Sequence, residues 1–178
     1  MRTLLLALTA ATLWAQVVDP ISSVALRDAA KPVEAWMGRA LVVYGGSPAA
    51  PVAAQRARQF PQPFDAREAI VTPNAVYVSM AQMQAFRSSQ ELAEFLAHAA
   101  AHAKLDHPAR MEEVMREVAI LDTTHAPERV ATTLEIRTRA EMEEATVPVA
   151  AEFMESAGCA PAGSCGMFGL LLRAARRP

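Results

Sequence analysis

Three of the four histidines in this 178-residue chain fall within ten residues of one another, at His98, His102 and His107. Imidazoles at i and i+4 leave one face of a helix about one turn apart. That is how two nitrogen ligands are presented to a tetrahedral zinc. The competing reading is a helix that carries two ordinary surface or core histidines. His107 lies nine residues after His98, about 180° round a helix of 3.6 residues per turn. It can serve the same ion only if the helix ends before it. The fourth, His125, sits in a polar stretch; it reads as a surface histidine, or as an electrophilic or blocking group reaching over a metal.

These side chains need an element to carry them, and the residues around them supply one. Ser88 and Glu91 have the spacing of a capping box, with Ser88 accepting from a free backbone N–H and Glu91 reaching back. Leu92, Phe95, Leu96, Ala99, Ala103 and Leu105 then form one broad apolar face, and Pro108 is expected to stop the helix. Ala69–Val71 and Ala75–Ser79 read as two strands joined at Thr72-Pro73-Asn74, a hairpin whose Pro-Asn pair suits a tight turn. Leu41–Tyr44 reads as a further strand. Residues 19–40 have helical spacing, with Pro32 expected to bend or divide the helix, and residues 47–63, with four prolines, read as a loop. Met111–Leu121, about 132–157 and 167–177 read as further helices, with Pro148 predicting a kink or break in the second. The class is α+β, mostly helical, with a small sheet or hairpin packed beside the histidine helix.

Composition narrows the function classes. Seventeen basic against nineteen acidic side chains give a formal charge of −2, which leaves no electrostatic footprint for nucleic acid and no polybasic patch for a membrane. Hydrophobic residues make up 52% of the chain and alanines number 38, which excludes a disordered tail and favours helix. Met1-Arg2, the apolar run Thr3–Trp14 and Ala15-Gln16 match a secretory signal peptide, residues 1–15, cleaved after Ala15. The run is too short for about 30 Å of hydrocarbon, and no later stretch is long enough to span. Residues 16–178 are then expected to form one domain, periplasmic or secreted, with no transmembrane segment. Export bears on Cys159 and Cys165, which flank a turn-rich loop: a disulfide is plausible in an oxidising compartment, against two small buried hydrophobes. Without a nearby histidine the pair is a poor metal site.

Taken together, the hairpin, the stretch Met80–Arg87, the run Glu91-Leu92-Ala93-Glu94-Phe95-Leu96-Ala97-His98-Ala99-Ala100-Ala101-His102, and His107 five residues on resemble a known arrangement. It is that of the HtpX- and BepA-like zinc metallopeptidases, gluzincins grouped with the CAAX prenyl proteases. The likeness spans roughly residues 64–161. It implies a zincin-like domain, one zinc per chain, a polypeptide substrate or client, and a structural role for His107 near the site. The family's third ligand is a glutamate on a later helix, a few turns before an Ala-Gly-x-x-Pro element, which is present here as Ala157-Gly158-Cys159-Ala160-Pro161. An ungapped match places Glu143 on the ligand, Ala145 on the motif's second Glu and Val147 on its Asp. A shift by one matches Glu144-Ala145 but makes Met142 the ligand, and a neutral thioether suits zinc poorly. Glu141 and Glu144 are the alternatives to Glu143; otherwise they form, with Glu152, a solvated acidic face.

The chain departs from that family where the chemistry is most demanding. Family members carry Glu directly after the first ligating histidine, as general base toward the attacking water; here Ala99 stands there. Losing a positioned base costs on the order of 10²- to 10⁴-fold. Three readings follow. The first is an exported, zinc-binding, catalytically impaired domain that still holds unfolded or extended chains, with Ala99 either natural or an introduced inactivating change. The second is an active zinc metalloendopeptidase using Glu141 or Glu144 as base, or active before a change to Ala99. The third is a metal-free structural or interaction domain.

Overall fold

The computed structural model describes residues 24–45, 69–123, 128–159 and 165–177. The expected signal peptide, the proline-rich loop at 47–63 and His125 lie outside them. Six helices and three strands follow in order among these residues: α1 (Val24–Met37), β1 (Ala40–Tyr44), β2 (Ile70–Val71), β3 (Ala75–Ser79), α2 (Met80–Ala85), α3 (Ser89–Lys104), α4 (His107–Thr123), α5 (Glu128–Ser156) and α6 (Gly166–Ala175). The class is α+β and mostly helical. No helix among the described residues is long and apolar enough to cross a membrane.

The hairpin forms where the sequence places it. Ile70 pairs with Tyr77 and Val71 with Val76, antiparallel. Its turn is fixed by Thr72, whose N–H and hydroxyl both donate to the Ala75 carbonyl while its hydroxyl also accepts from Ala75 N. Proline needs no hydrogen-bond partner at its nitrogen, which makes Pro73 compatible with that tight connection. β1 then adds parallel to β3, in register from Ala40 opposite Ala75 to Tyr44 opposite Ser79, giving the order β1-β3-β2.

α3 is the central helix. Ser88 Oγ accepts from Glu91 N at 3.1 Å, as a capping box requires, but Glu91 returns its carboxylate to Arg87 N at 2.6 Å, one residue before the cap. Leu92, Ala93, Leu96, Ala99, Ala100 and Ala103 enter the main core, which also takes Val33 and Met37 of α1, Val76 and Val78 of β3, and Phe168 and Leu171 of α6. Alanine on so much of α3 lets neighbouring helices approach closely. Leu105, expected on the apolar face, is half-exposed instead, because the chain has already left the helix there.

Pro108 departs from the sequence expectation, and neither Pro32 nor Pro148 divides its helix. Pro32 lies inside α1 and does not divide it. Pro148 lies inside α5, which runs unbroken for 29 residues. Pro148 and Glu144, whose carbonyl loses its donor, are both exposed, so solvent can take up the vacated bond. Pro108 does not terminate α3; it occupies the first turn of α4, where a missing N–H costs nothing. α3 ends earlier, through Asp106 at φ 55°, the one positive-φ non-glycine residue among those described. Short polar side chains tolerate that left-handed conformation best.

A smaller core lies between α4 and α5, built from Met111, Val114 and Met142. The far end of α5 is tied to the main core by Trp36. Its indole N–H donates to the Phe153 carbonyl and Ser156 Oγ, and its ring meets Phe153 and Phe168 edge-on at 5.0 and 5.1 Å. A disulfide between Cys159 and Cys165 links the end of α5 to the start of α6.

Candidate metal centre

The exposed stripe of α3 is the remainder left once its apolar side is buried. Glu91, Glu94 and His98 follow one another along it, with His102 at its partly covered edge. α3 packs against α5 more extensively than any other pair of elements does. Fully buried Ala97 and Ala101 flank the histidine pair on α3, while Thr138, Met142 and Thr146 form the buried stripe of α5. Glu143, one residue off that stripe, therefore reaches the rim of the helix pair and meets the histidines.

The three donor groups converge. His98 Nε2 and His102 Nε2 are 3.0 Å apart. Glu143 Oε2 lies 3.2 Å from the first and Oε1 3.3 Å from the second. Four ligands on zinc at bonds of about 2.0 Å are separated by about 3.3 Å along each edge of their tetrahedron. Thus two imidazole nitrogens and a carboxylate already stand at the mutual spacing that one ion requires. Among the described residues His98, His102 and Glu143 form the only such group, and Glu143 pairs with no lysine or arginine. The donor set suits zinc, and the side chains of His98 and Glu143, 48% and 57% exposed, leave the fourth direction open.

His102 is the covered member, its side chain only 17% exposed. Burial, reinforced by the neighbouring His98 and His107, pushes its pKa down to about 3. The neutral imidazole, the form with a lone pair to donate, is therefore favoured. Its other nitrogen, Nδ1, lies 2.9 Å from His107 Nδ1. His107 is itself buried, and that burial lowers its pKa, opposed by the charges of Glu143 and Asp106.

Of the residues singled out in the sequence, the structure brings His98, His102, Glu143 and His107 together. His107 reaches the cluster from the start of α4, after the reversal at Asp106, rather than from the opposite side of α3. Lys104-Leu105-Asp106-His107-Pro108 carried that signal: a residue tolerant of positive φ two positions before a proline suited to a first helical turn. Ala99 is 3% exposed and packed in the main core. Glu141 is engaged by Arg137 at 2.8 Å, Glu152 by Lys104 at 3.1 Å, and Glu144 is exposed. Sequence reasoning missed an open cleft of about 640 Å³ beside the cluster. Leu105, His107, Arg110, Glu141 and Met142 are among its walls.

No protein-family model matches the chain, and no curated protein and no solved structure matches it significantly.

Proposed function

We propose that this chain is an exported zinc-binding domain of the HtpX- and BepA-like metallopeptidase type, with a zincin-like architecture, that holds extended or unfolded polypeptide and no longer hydrolyses it. One observation carries the metal reading: His98 Nε2 and His102 Nε2 stand 3.0 Å apart, with Glu143 Oε2 3.2 Å from the first and Glu143 Oε1 3.3 Å from the second. Bound there, zinc would supply a Lewis acid toward a peptide carbonyl. His98, His102 and Glu143 hold it, and the exposed side of the triangle admits a ligand.

Loss of hydrolysis is read from position 99, next to the first ligand in the sequence and packed in the main core. Ala99 offers a methyl group that can neither take nor return a proton. Of the two alternative bases, Glu141 and Glu144, Glu141 is paired with Arg137 in the same helix, and Glu144 is exposed. Polypeptide binding is separable from proton transfer, because an extended chain is held by backbone hydrogen bonds at a strand edge. Among the described residues β1 pairs on one side only, and of its backbone groups Leu41 N–H is already taken by Glu34.

The test combines metal content with turnover. The chain as written, loaded with zinc, is expected to hold about one zinc and to leave casein intact. Ala99→Glu is expected to gain on the order of 10²- to 10⁴-fold in chelator-sensitive cleavage, with its melting temperature measured in parallel because the position is buried. Chelator-sensitive cleavage by the unaltered chain would overturn the loss of hydrolysis. Absence of bound zinc would overturn the metal reading.

A further inference from the structure

Two imidazoles that meet nitrogen to nitrogen must share one proton between them. His102 Nδ1 and His107 Nδ1 stand 2.9 Å apart, so one donates and the other accepts. At the opposite side of the same ring, His102 Nε2 faces His98 Nε2 at 3.0 Å, too close for both to carry hydrogens. His98 is the more exposed ring and its Nε2–H has the Glu143 carboxylate to donate to at 3.2 Å. Glu143 Oε1 also lies 3.3 Å from His102 Nε2, so either ring can donate to the carboxylate; in the arrangement with His98 as that donor, His102 donates from Nδ1 and accepts at Nε2.

We infer that His107 is a positioning residue. By accepting a hydrogen bond from His102 Nδ1–H it holds His102 in the tautomer whose Nε2 lone pair points at Glu143 and His98. This inference rests on the metal reading above and extends it to a residue that does not itself ligate. Histidine ligands depend on such partners, which fix both tautomer and ring orientation, and removing one typically costs about 10- to 100-fold in metal affinity.

The backbone around His107 is consistent with that role. α3 stops at Lys104, and the chain reverses through Asp106 at φ 55°, a conformation that costs free energy for any residue with a Cβ. Pro108 then fixes the first turn of α4. The ring is thereby delivered edge-on to His102, centroids 5.0 Å apart and planes 70° to each other. Its exposure of 9% keeps water from competing for the shared proton.

The experiment uses the full chain, uniformly labelled with 15N, and zinc alone as probe. In metal-free protein, long-range proton–nitrogen correlations of the imidazoles are expected to show His102 protonated at Nδ1. His107→Leu should lose that preference and bind zinc about 10- to 100-fold more weakly. In His107→Asn the amide oxygen can take the place of the accepting nitrogen, and both the tautomer and most of the affinity should return. Thermal unfolding of each variant separates a folding defect from a positioning one. Protonation of His102 at Nε2 in the parent protein, or unchanged zinc affinity in His107→Leu, would overturn the inference. If the parent shows the Nδ1–H tautomer yet binds no zinc, the positioning contact stands and the metal reading alone falls.

Discussion

The two cores of the molecule differ in depth, and the candidate metal centre straddles them. The main core draws side chains from α1, the sheet, α3 and α6, with Leu92, Leu96, Val76 and Phe168 fully buried. The lesser core, between α4 and α5, has Met111, Val114 and Met142 as its buried members among the described residues. His98 and His102 stand on the helix that anchors the first. Glu143 and His107 are carried by the two helices that make the second. The histidine pair therefore owes its placement to the main core and Glu143 to the close packing of α5 on α3, whereas the tautomer partner His107 depends on the lesser core between α4 and α5. Metal in the triangle would bond the two regions directly, so zinc should act as a staple across the boundary in addition to any part in chemistry.

Removing one corner of the triangle tests the comparison most severely. His102→Ala is expected to abolish zinc binding, and Glu143→Ala to weaken it by orders of magnitude, both read by metal analysis after desalting. Unchanged zinc in both variants would show that the convergence of these side chains is not a metal site.

Core truncations separate the two regions. Phe168→Ala should destabilise the fold by about 3–5 kcal/mol while leaving the zinc affinity of the folded protein nearly unchanged. Met111→Ala, at about 2–5 kcal/mol, should also weaken zinc binding, because α4 loses the contact that holds His107 against His102. Denaturant unfolding paired with zinc titration checks both. Equal effects on affinity from the two substitutions would remove the distinction between the cores.

The Cys159–Cys165 bridge closes a short loop with a sequence separation of 6. Replacing both cysteines with serine is expected to cost about 2 kcal/mol by the loop-entropy relation, measured as a shift in the unfolding midpoint. Zinc affinity should change little, since Trp36 still ties Phe153 and Ser156 to the main core. The smallest expected effect is at the start of α3. Ser88→Ala removes the cap on Glu91 N and should cost about 1 kcal/mol, seen as a small drop in melting temperature.

Much of this arrangement is legible along the chain. The i, i+4 spacing of His98 and His102, the Ser88–Glu91 cap and the Thr72-Pro73-Asn74 turn are local in origin. Each depends on residues within one or two turns of backbone, and the sequence alone suffices to place them. Glu143 is what the ungapped match to the resembled family's motif implies, counted back from Ala157-Gly158, and α5 is continuous from Glu143 to Ser156.

Tertiary structure decided the rest. The hydrogen bond that Pro148 removes predicts a kink or break, but a proline on a solvent-facing stretch of a packed helix needs only water for the carbonyl it vacates, so α5 does not break there. Pro108 reads as a stop when only the α3 pattern is followed; the reversal at Asp106 assigned it to the first turn of α4. That same reversal turned His107 from a residue on the far side of one helix into the partner of His102. His102 stands 41 residues from Glu143 in the chain, and no local preference fixes the distance between their side chains. Only the close approach that alanines on α3 permit, and the buried stripe of α5 that answers it, set the 3.3 Å between them.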